Sequence, residues 1–490
     1  MEKLSDLERQ RRLKLNRILE KGVDPYPARA ERTHTTAEAI NAFESGEGTS
    51  GERVSLAGRV VSVRVMGKST FAHIADGSGR IQINLRHDTL GGEKYDHFRR
   101  DFDIGDFISA VGTLFQTRTG EITLQVEDFT MLAKSLRPLP EKWHGLRDVE
   151  TRYRQRYLDL IANEKVRHIF TTRSRIVTAM RHFLDSRGFL EVETPVLQPL
   201  YGGATARPFV THHHTLDQTL YLRISDELYL KRLIVGGYER VYEISKDFRN
   251  EGISTRNNPE FTMMECYQAY ADYNDIMVLV EEMMAAIAQE VLGSLHLVYQ
   301  GHEIDLTPPW RRLTLRQSIL DETGIDIEAH PDLQTLQAKV EEIELAVETQ
   351  PTWAKLVDEL LSEYVQPKLV QPTFIIDYPV ELSPLAKKKP EAPHLVERFE
   401  PFVGGLELGN AFSELNDPLD QRARFVELAK AREAGDEEVH PVDEDYVAAL
   451  EYGMPPTGGL GIGVDRLVML FTDQQSIREV ILFPQLRTVE

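Results

Sequence analysis

Apolar and polar positions divide the chain into blocks of different period. Up to about residue 32 they recur with helical spacing, and Lys21-Gly22 followed by Pro25-Tyr26-Pro27 predicts where that helix stops. A polar stretch over 43–51 predicts a linker. From Val54 the period falls to two: VSLAGRVVSVRV, STFAHIAD and GRIQINL predict three strands. A helix is predicted around 94–102, then two more strands, DFISAVGTLFQ and EITLQVEDFTML. Leu136-Arg137-Pro138-Leu139-Pro140 breaks any regular element. Helical spacing returns over 164–186 and stops at Arg187-Gly188, and the strand FLEVETP follows, closed by Pro195. Residues 242–267 predict a hairpin whose strands flank a loop rich in turn residues, Gly252 through Pro259. Residues 313–370 predict a helical insertion; a strand-rich block, ERFEPFVGGLELGNAFSELNDP, comes next, and the glycine-rich GGLGIG leads into a last helix carrying Arg466.

At 490 residues the chain is too long for one core. The expected division is an N-terminal helical extension and linker (1–53), a five-stranded barrel (54–135), a hinge (136–160) and a large domain (161–490) holding the insertion near 313–370. The 41% hydrophobic and 28% charged content suits a soluble globular protein. No apolar run approaches the ~20 residues that span a bilayer, and the N-terminus has no apolar core of signal type, so a cytoplasmic location is expected. The single cysteine, Cys266, excludes an internal disulfide and a multi-cysteine zinc site. A net charge of −21 counts against a general nucleic-acid binder but leaves room for local basic patches. Two such clusters occur, Arg9, Arg11, Arg12, Lys14 and Arg17, and Arg147, Arg152, Arg154 and Arg156; for each, a solvated helix face competes with an RNA contact. His212, His213 and His214 would alternate across a strand and have no spaced partner set, which disfavours a metal site.

The hairpin concentrates the chemistry. Strand alternation puts Arg249 and Glu251 on one face, and Phe261, Met263, Glu265 and Tyr267 on one face of the second strand, with Arg256 in the loop above. A solvated sheet face is the plain alternative; aromatic and Met residues interleaved with the charges oppose it. Upstream, the loop Tyr201-Gly202-Gly203-Ala204 lets backbone approach a ligand, and Ser225 can cap a helix with Asp226 and Glu227 in its first turn. Downstream, Asn410, Phe412 and Glu414 share a strand face, and Glu407 joins them only if Gly409 sits in a bulge. Five strands with a helix between the third and fourth match the OB-fold, which often grips single-stranded nucleic acid but also serves as a plain structural module.

Phe248-Arg249-Asn250-Glu251 with the loop Arg256 and Phe261 resembles motif 2 of class II aminoacyl-tRNA synthetases. The 164–195 helix and strand resemble motif 1, and GGLGIGVDR resembles motif 3. The wording FRNEGIS…RNNPEFTMME is similar to bacterial-type lysyl-tRNA synthetases. That resemblance implies an α+β chain: an N-terminal OB-fold β-barrel, then a class II antiparallel-sheet catalytic domain with a helical insertion. It implies a homodimeric ligase that activates L-lysine with ATP and transfers it to tRNA(Lys), using Mg²⁺, more than one ion, bound with the nucleotide. Arg249 and Arg466 would be catalytic. Glu251, Arg256, Phe261 and Glu407 would join them in holding ATP, while Glu400, Glu407 and Glu414 would hold the metal. The lysine pocket would comprise Gly203, Glu227, Arg249, Glu265, Tyr267, Asn410, Phe412 and Glu414. On the barrel, Arg64, Phe71 and Gln82 would read the anticodon. One departure stands out: many bacterial relatives carry histidine after the loop arginine, where this chain has Asn257. Aspartyl- and asparaginyl-tRNA synthetases share the same layout and remain the nearest alternative, followed by a non-catalytic RNA-binding paralogue. A lysyl ligase acting on an elongation factor lacks the barrel, so residues 54–132 disfavour it.

Overall fold

A computed structural model describes residues 4–46, 53–140, 146, 148–433 and 441–488, without the side chains of 430–433. The chain divides into two compact units, 1–145 and 146–490.

The first unit is a closed barrel of Arg53–Met66, Ser69–Ala75, Arg80–Arg86, Phe107–Gln116 and Ile122–Ala133, in the order first, second, third, fifth, fourth. Alternation along each strand sends Leu56, Ile74, Ile83, Ala110 and Leu124 into one core. The helix Gly92–Asp101 adds Tyr95 and Phe98 to that core. The N-terminal helix Asp6–Glu20 contributes Ile18. Its basic residues hold it to the barrel: Arg11 donates to the carbonyls of Ser135, Arg137 and Ile104, Lys14 pairs with Asp103, and Arg17 with Asp101. The linker predicted over 43–51 is helical at its start, because Thr36–Ser45 is a helix whose capping box, Thr35 with Glu38, supplies the signal that polarity hid. Residues 47–52 lie outside the described residues, as does Arg147 of the second basic cluster. The rest of that cluster is internal to the second unit: Arg156 is fully buried against Asp159, and Arg152 bridges Asp159 and Glu479.

The second unit is built on one sheet. Its main path runs Arg311–Thr314, Thr373–Pro379, Ala392–Val403, Gly409–Ser413, Thr457–Gly463, Glu260–Ala269, Arg240–Phe248 and Leu190–Glu191, antiparallel except for the pair at each edge. The helices Glu164–Ser186 and Tyr273–Leu292 cover one face and share a core with Met264, Cys266, Leu460 and Ile462. The opposite face carries the polar residues described below. The strand predicted at FLEVETP shortens to Leu190–Glu191 because it pairs only with Val241 and Tyr242 at the sheet edge. Helices of the insertion, Leu315–Thr323, Leu333–Glu342 and Trp353–Leu360, pack around their own core against Ile375 and Phe402. Among the described residues no helix is long and apolar enough to cross a membrane.

Candidate active site

The strand Glu260–Ala269 organises the site. It pairs with Arg240–Phe248 on one side and Thr457–Gly463 on the other. Met264 and Cys266 enter the core, so Phe261, Met263, Glu265 and Tyr267 line a cavity of about 480 Å³ on the other face. Every catalytic-domain candidate from the sequence lines that cavity: Gly203, Glu227, Arg249, Glu251, Arg256, Phe261, Glu265, Tyr267, Glu400, Glu407, Asn410, Phe412, Glu414 and Arg466.

Two local expectations need correction. The first hairpin strand ends at Phe248, so Arg249 and Glu251 stand in the turn. The Asn250 amide bonds the carbonyl of Arg207 and so leaves the ladder, while the Arg249 amide still bonds Pro259. Arg249 is oriented all the same, its guanidinium 5.0 Å from the centre of the Phe261 ring and its Nε donating to the carbonyl of Ile224. Second, Ser225 does not cap the helix Glu227–Val235 as its N-cap residue; Asp226 holds that position and makes no side-chain cap bond. The Ser225 hydroxyl accepts from the Glu227 amide and donates to Glu265, joining two of the acids. The Gly409 bulge does form: Phe402 faces Glu407 but Phe399 faces Ala411, a one-residue slip that brings Glu407 to the cavity.

Three buried carboxylates converge at one end. Glu265 accepts from Ser225 Oγ at 2.8 Å, Tyr267 Oη at 2.9 Å and the Asp226 amide at 3.3 Å, and burial nonetheless raises its pKa. Burial lifts Glu227 to about 7 and raises Glu414 more strongly. Between those two lies Lys231, fully buried, its Nζ 2.5 Å from Glu227 Oε1 and in contact with Glu414 Oε2. Glycine is obligatory at 459, where a Cβ would lie 1.9 Å from Glu414 Oε1. At Gly203 (φ +88°) a Cβ would come within 2.8 Å of Ser225 Oγ. Beneath Glu265, Arg223 pairs with Asp226 and Glu243, and burial pushes Asp226 up to about 9 and Asp247 to about 7.

The other end carries Glu400, Glu407 and Arg466. Arg466 pairs with Glu407 at 3.1 Å. Glu400 accepts from Tyr378 Oη at 2.7 Å and Arg398 at 2.6 Å; burial, with the charge of Glu407 adding to it, raises it to about 7. Two carboxylates that repel each other beside a cavity suit a hard cation. Among the described residues no three His, Cys, Asp or Glu side chains form a ready metal cage, so a cation here needs ligand oxygens to complete its shell.

Sequence reasoning missed three side chains. Lys231 was legible as the i+4 partner of Glu227. Arg398 donates to Asn410 Oδ1, Glu400 and Ser383, placing both strand candidates, and it stands opposite Phe412 in register. Asp358, from the insertion, also reaches the cavity wall. Lys387, Lys388 and Lys389 bond Asn416, Asp420 and Asp377; Lys387 and Lys388 are exposed, and Lys388 and Lys389 form a short strand.

On the barrel, Arg64 stands directly opposite Phe71, and Gln82 opposite His73. Directly opposed residues share a face. The Gln82 amide donates to Glu121 at 2.7 Å, and His73 bridges Ser62 and Glu121.

A barrel of this topology before an antiparallel sheet with an acid-and-arginine cavity defines a class that comparison with known proteins confirms. Residues 148–487 match the tRNA synthetases class II (D, K and N), and residues 54–132 match the OB-fold nucleic acid binding domain. A lysine–tRNA ligase of Roseiflexus sp. (strain RS-1) is 59% identical over 99% of both chains. That of Roseiflexus castenholzii is 60% identical over 99% of this chain and all of its own. That of Pelotomaculum thermopropionicum is 56% identical over all of this chain and 96% of its own. The chain belongs to the class II tRNA synthetases, in the lysine–tRNA ligase family.

Proposed function

We propose that the chain activates L-lysine with ATP as lysyl-adenylate and transfers the lysyl group to tRNA(Lys). The observation that carries this reading is the convergence of Glu227, Glu265 and Glu414 in one cavity with Arg249. Lysine presents two ammonium groups and one carboxylate, which match buried acids and a guanidinium. Aspartate or asparagine would need a free cation or donor at the pocket end, and the cations there, Lys231 and Arg398, are already paired with Glu227 and Glu400.

In the first step a lysine carboxylate oxygen attacks the α-phosphorus; that O–P bond forms, the bond to the bridging oxygen breaks, and diphosphate leaves. No proton moves, so the site must align reactants and neutralise charge. The Arg249 fork can bridge the lysine carboxylate and the α-phosphate, Phe261 stacks on adenine, and Glu251 accepts from its amino group. Arg256 and Arg466 hold the phosphate tail, Arg466 exchanging its pairing with Glu407 for phosphate. Glu400 and Glu407 would hold Mg²⁺ entering with ATP, and the ion would supply further neutralisation at the phosphates; Glu414, expected to join them, is buried on Lys231 at the other end of the cavity and is left to the amino acid. In the second step the terminal tRNA hydroxyl attacks the acyl carbon, the bond from that carbon to the phosphate oxygen breaks, and AMP departs, its phosphate taking up the hydroxyl proton. The Arg64–Phe71–Gln82 face of the barrel reads the anticodon by stacking and edge hydrogen bonds.

ATP–diphosphate exchange run with each amino acid in turn tests the assignment: lysine should drive it, and chelating Mg²⁺ should stop it without changing the circular dichroism. Faster exchange with aspartate or asparagine would sink the lysine reading and leave the class intact.

The active species is proposed to be a cytoplasmic homodimer joined at the helix Glu164–Ser186 and the following edge strand. The open edge and the exposed Leu190, Val196 and Leu197 support this. A fully active monomer in sedimentation at assay concentration would contradict it.

A further inference from the structure

Lys231 is an anomaly in a pocket that must attract an ammonium. It is fully buried on the helix Glu227–Val235, lies behind the cavity wall, and places its own ammonium between two of the wall's carboxylates. Its contacts are specific to single oxygens: Oε1 of Glu227 and Oε2 of Glu414. The aromatic rings of Phe412 and Tyr267 stand 5.3 Å and 6.0 Å from Nζ. Glu414 Oε1 packs into the room that glycine at 459 leaves and is buried without a hydrogen-bond partner, so it is the oxygen of that acid that remains for a ligand.

Two buried carboxylates without a cation between them would repel and swing apart. A fixed internal ammonium removes that tendency before substrate arrives. We propose that Lys231 is a positioning residue for amino-acid selection: it clamps one oxygen of Glu227 and one of Glu414 so that the remaining two are aimed at the ammonium groups of the incoming amino acid. It touches neither substrate nor ATP. This rests on the reading of the cavity as a lysine site.

The charge pattern accounts for selectivity as well as affinity. With Lys231 in place the three pocket acids carry one excess positive neighbour, so the pocket is left with a net demand for two positive groups. Lysine brings two, at its α-carbon and side-chain end; a neutral analogue such as norleucine brings one. Removing Lys231 leaves the acceptors unaimed and lets the crowded acids take up a proton, which lowers the pocket's demand for positive charge, penalises lysine and blurs its advantage over norleucine.

The test uses the full-length protein with lysine, norleucine and ATP in diphosphate exchange, on Lys231→Met, which keeps the stem without donor or charge, and Lys231→Gln, which keeps an N–H donor. Lysine KM should rise at least about tenfold in Lys231→Met, with ATP KM unchanged and kcat within a few-fold. Discrimination against norleucine should narrow, and Lys231→Gln should fall between the two. A double variant with Glu227→Gln should lose less than the two single losses combined, because Lys231 acts through that carboxylate. A folded variant with wild-type lysine KM, or one in which lysine and ATP KM rise together, overturns the proposal. If Lys231→Met does not fold, Lys231→Gln decides alone by the same criteria. Absence of lysine-driven exchange in the unmodified protein would instead overturn the lysine site itself.

Discussion

The cavity of the catalytic unit and the open face of the barrel both bind ligands in this reading, but they are built on opposite electrostatic plans. In the cavity Glu227, Glu265 and Glu414 are buried, their pKa values pushed up by lost hydration, and each is steadied by a neighbour. On the barrel Arg64 is exposed, Phe71 half-buried, and Gln82 is held by the exposed Glu121. A small amino acid offers few atoms, so selecting it calls for strong interactions in a dry site, where a charge left unpaired is costly. A nucleotide base offers a wide ring, so an aromatic platform with modest hydrogen bonds suffices, and water can stay. The contrast predicts that damage to the cavity strikes one substrate steeply, while damage to the barrel strikes another more gently.

The largest effect should come from the acids. Glu265→Gln keeps shape and loses charge, and a charge-assisted hydrogen bond is worth about 1.5–3 kcal/mol, so kcat/KM for lysine should fall at least about tenfold. Glu414→Gln should fall further, since Lys231 then faces one acid in place of two. ATP KM in Glu265→Gln should hold steady; if lysine is activated normally, the contrast collapses.

Phe71→Ala should weaken tRNA binding by about 1–3 kcal/mol and leave lysine-driven diphosphate exchange at its original rate. Normal aminoacylation by that variant would remove the stacking role from the barrel face.

The smallest effect concerns pH. Burial raises Glu227 to about 7 in the free protein. A ligand ammonium favours the ionised acid, so protons and lysine compete, and lysine KM should rise as pH falls through 7. One-proton linkage at Glu227 gives a rise of about fourfold between pH 8 and pH 6.5. ATP KM and tRNA KM measured alongside should not follow that curve.

Period and turn chemistry alone determined much of this protein. Alternation in EFTMMECY already separates Met264 and Cys266 from Phe261, Glu265 and Tyr267, because a strand's two faces are written one residue apart. The helix 164–186 was legible to the residue from its stripe and terminal glycine, and the Gly409 bulge from a parity conflict. What tertiary structure decided was which distant groups meet. Nothing local in the sequence places Arg398 on Asn410, or tells that Arg11, Lys14 and Arg17 of the first helix are spent on Asp101, Asp103 and three carbonyls. The Lys231 bridge to Glu414 spans 183 positions (414 minus 231) and joins a helix to the end of a strand. Local pattern records how a residue relates to its own element; the pairing of buried charges depends on which elements are stacked together, and that is settled only when the sheet closes over them.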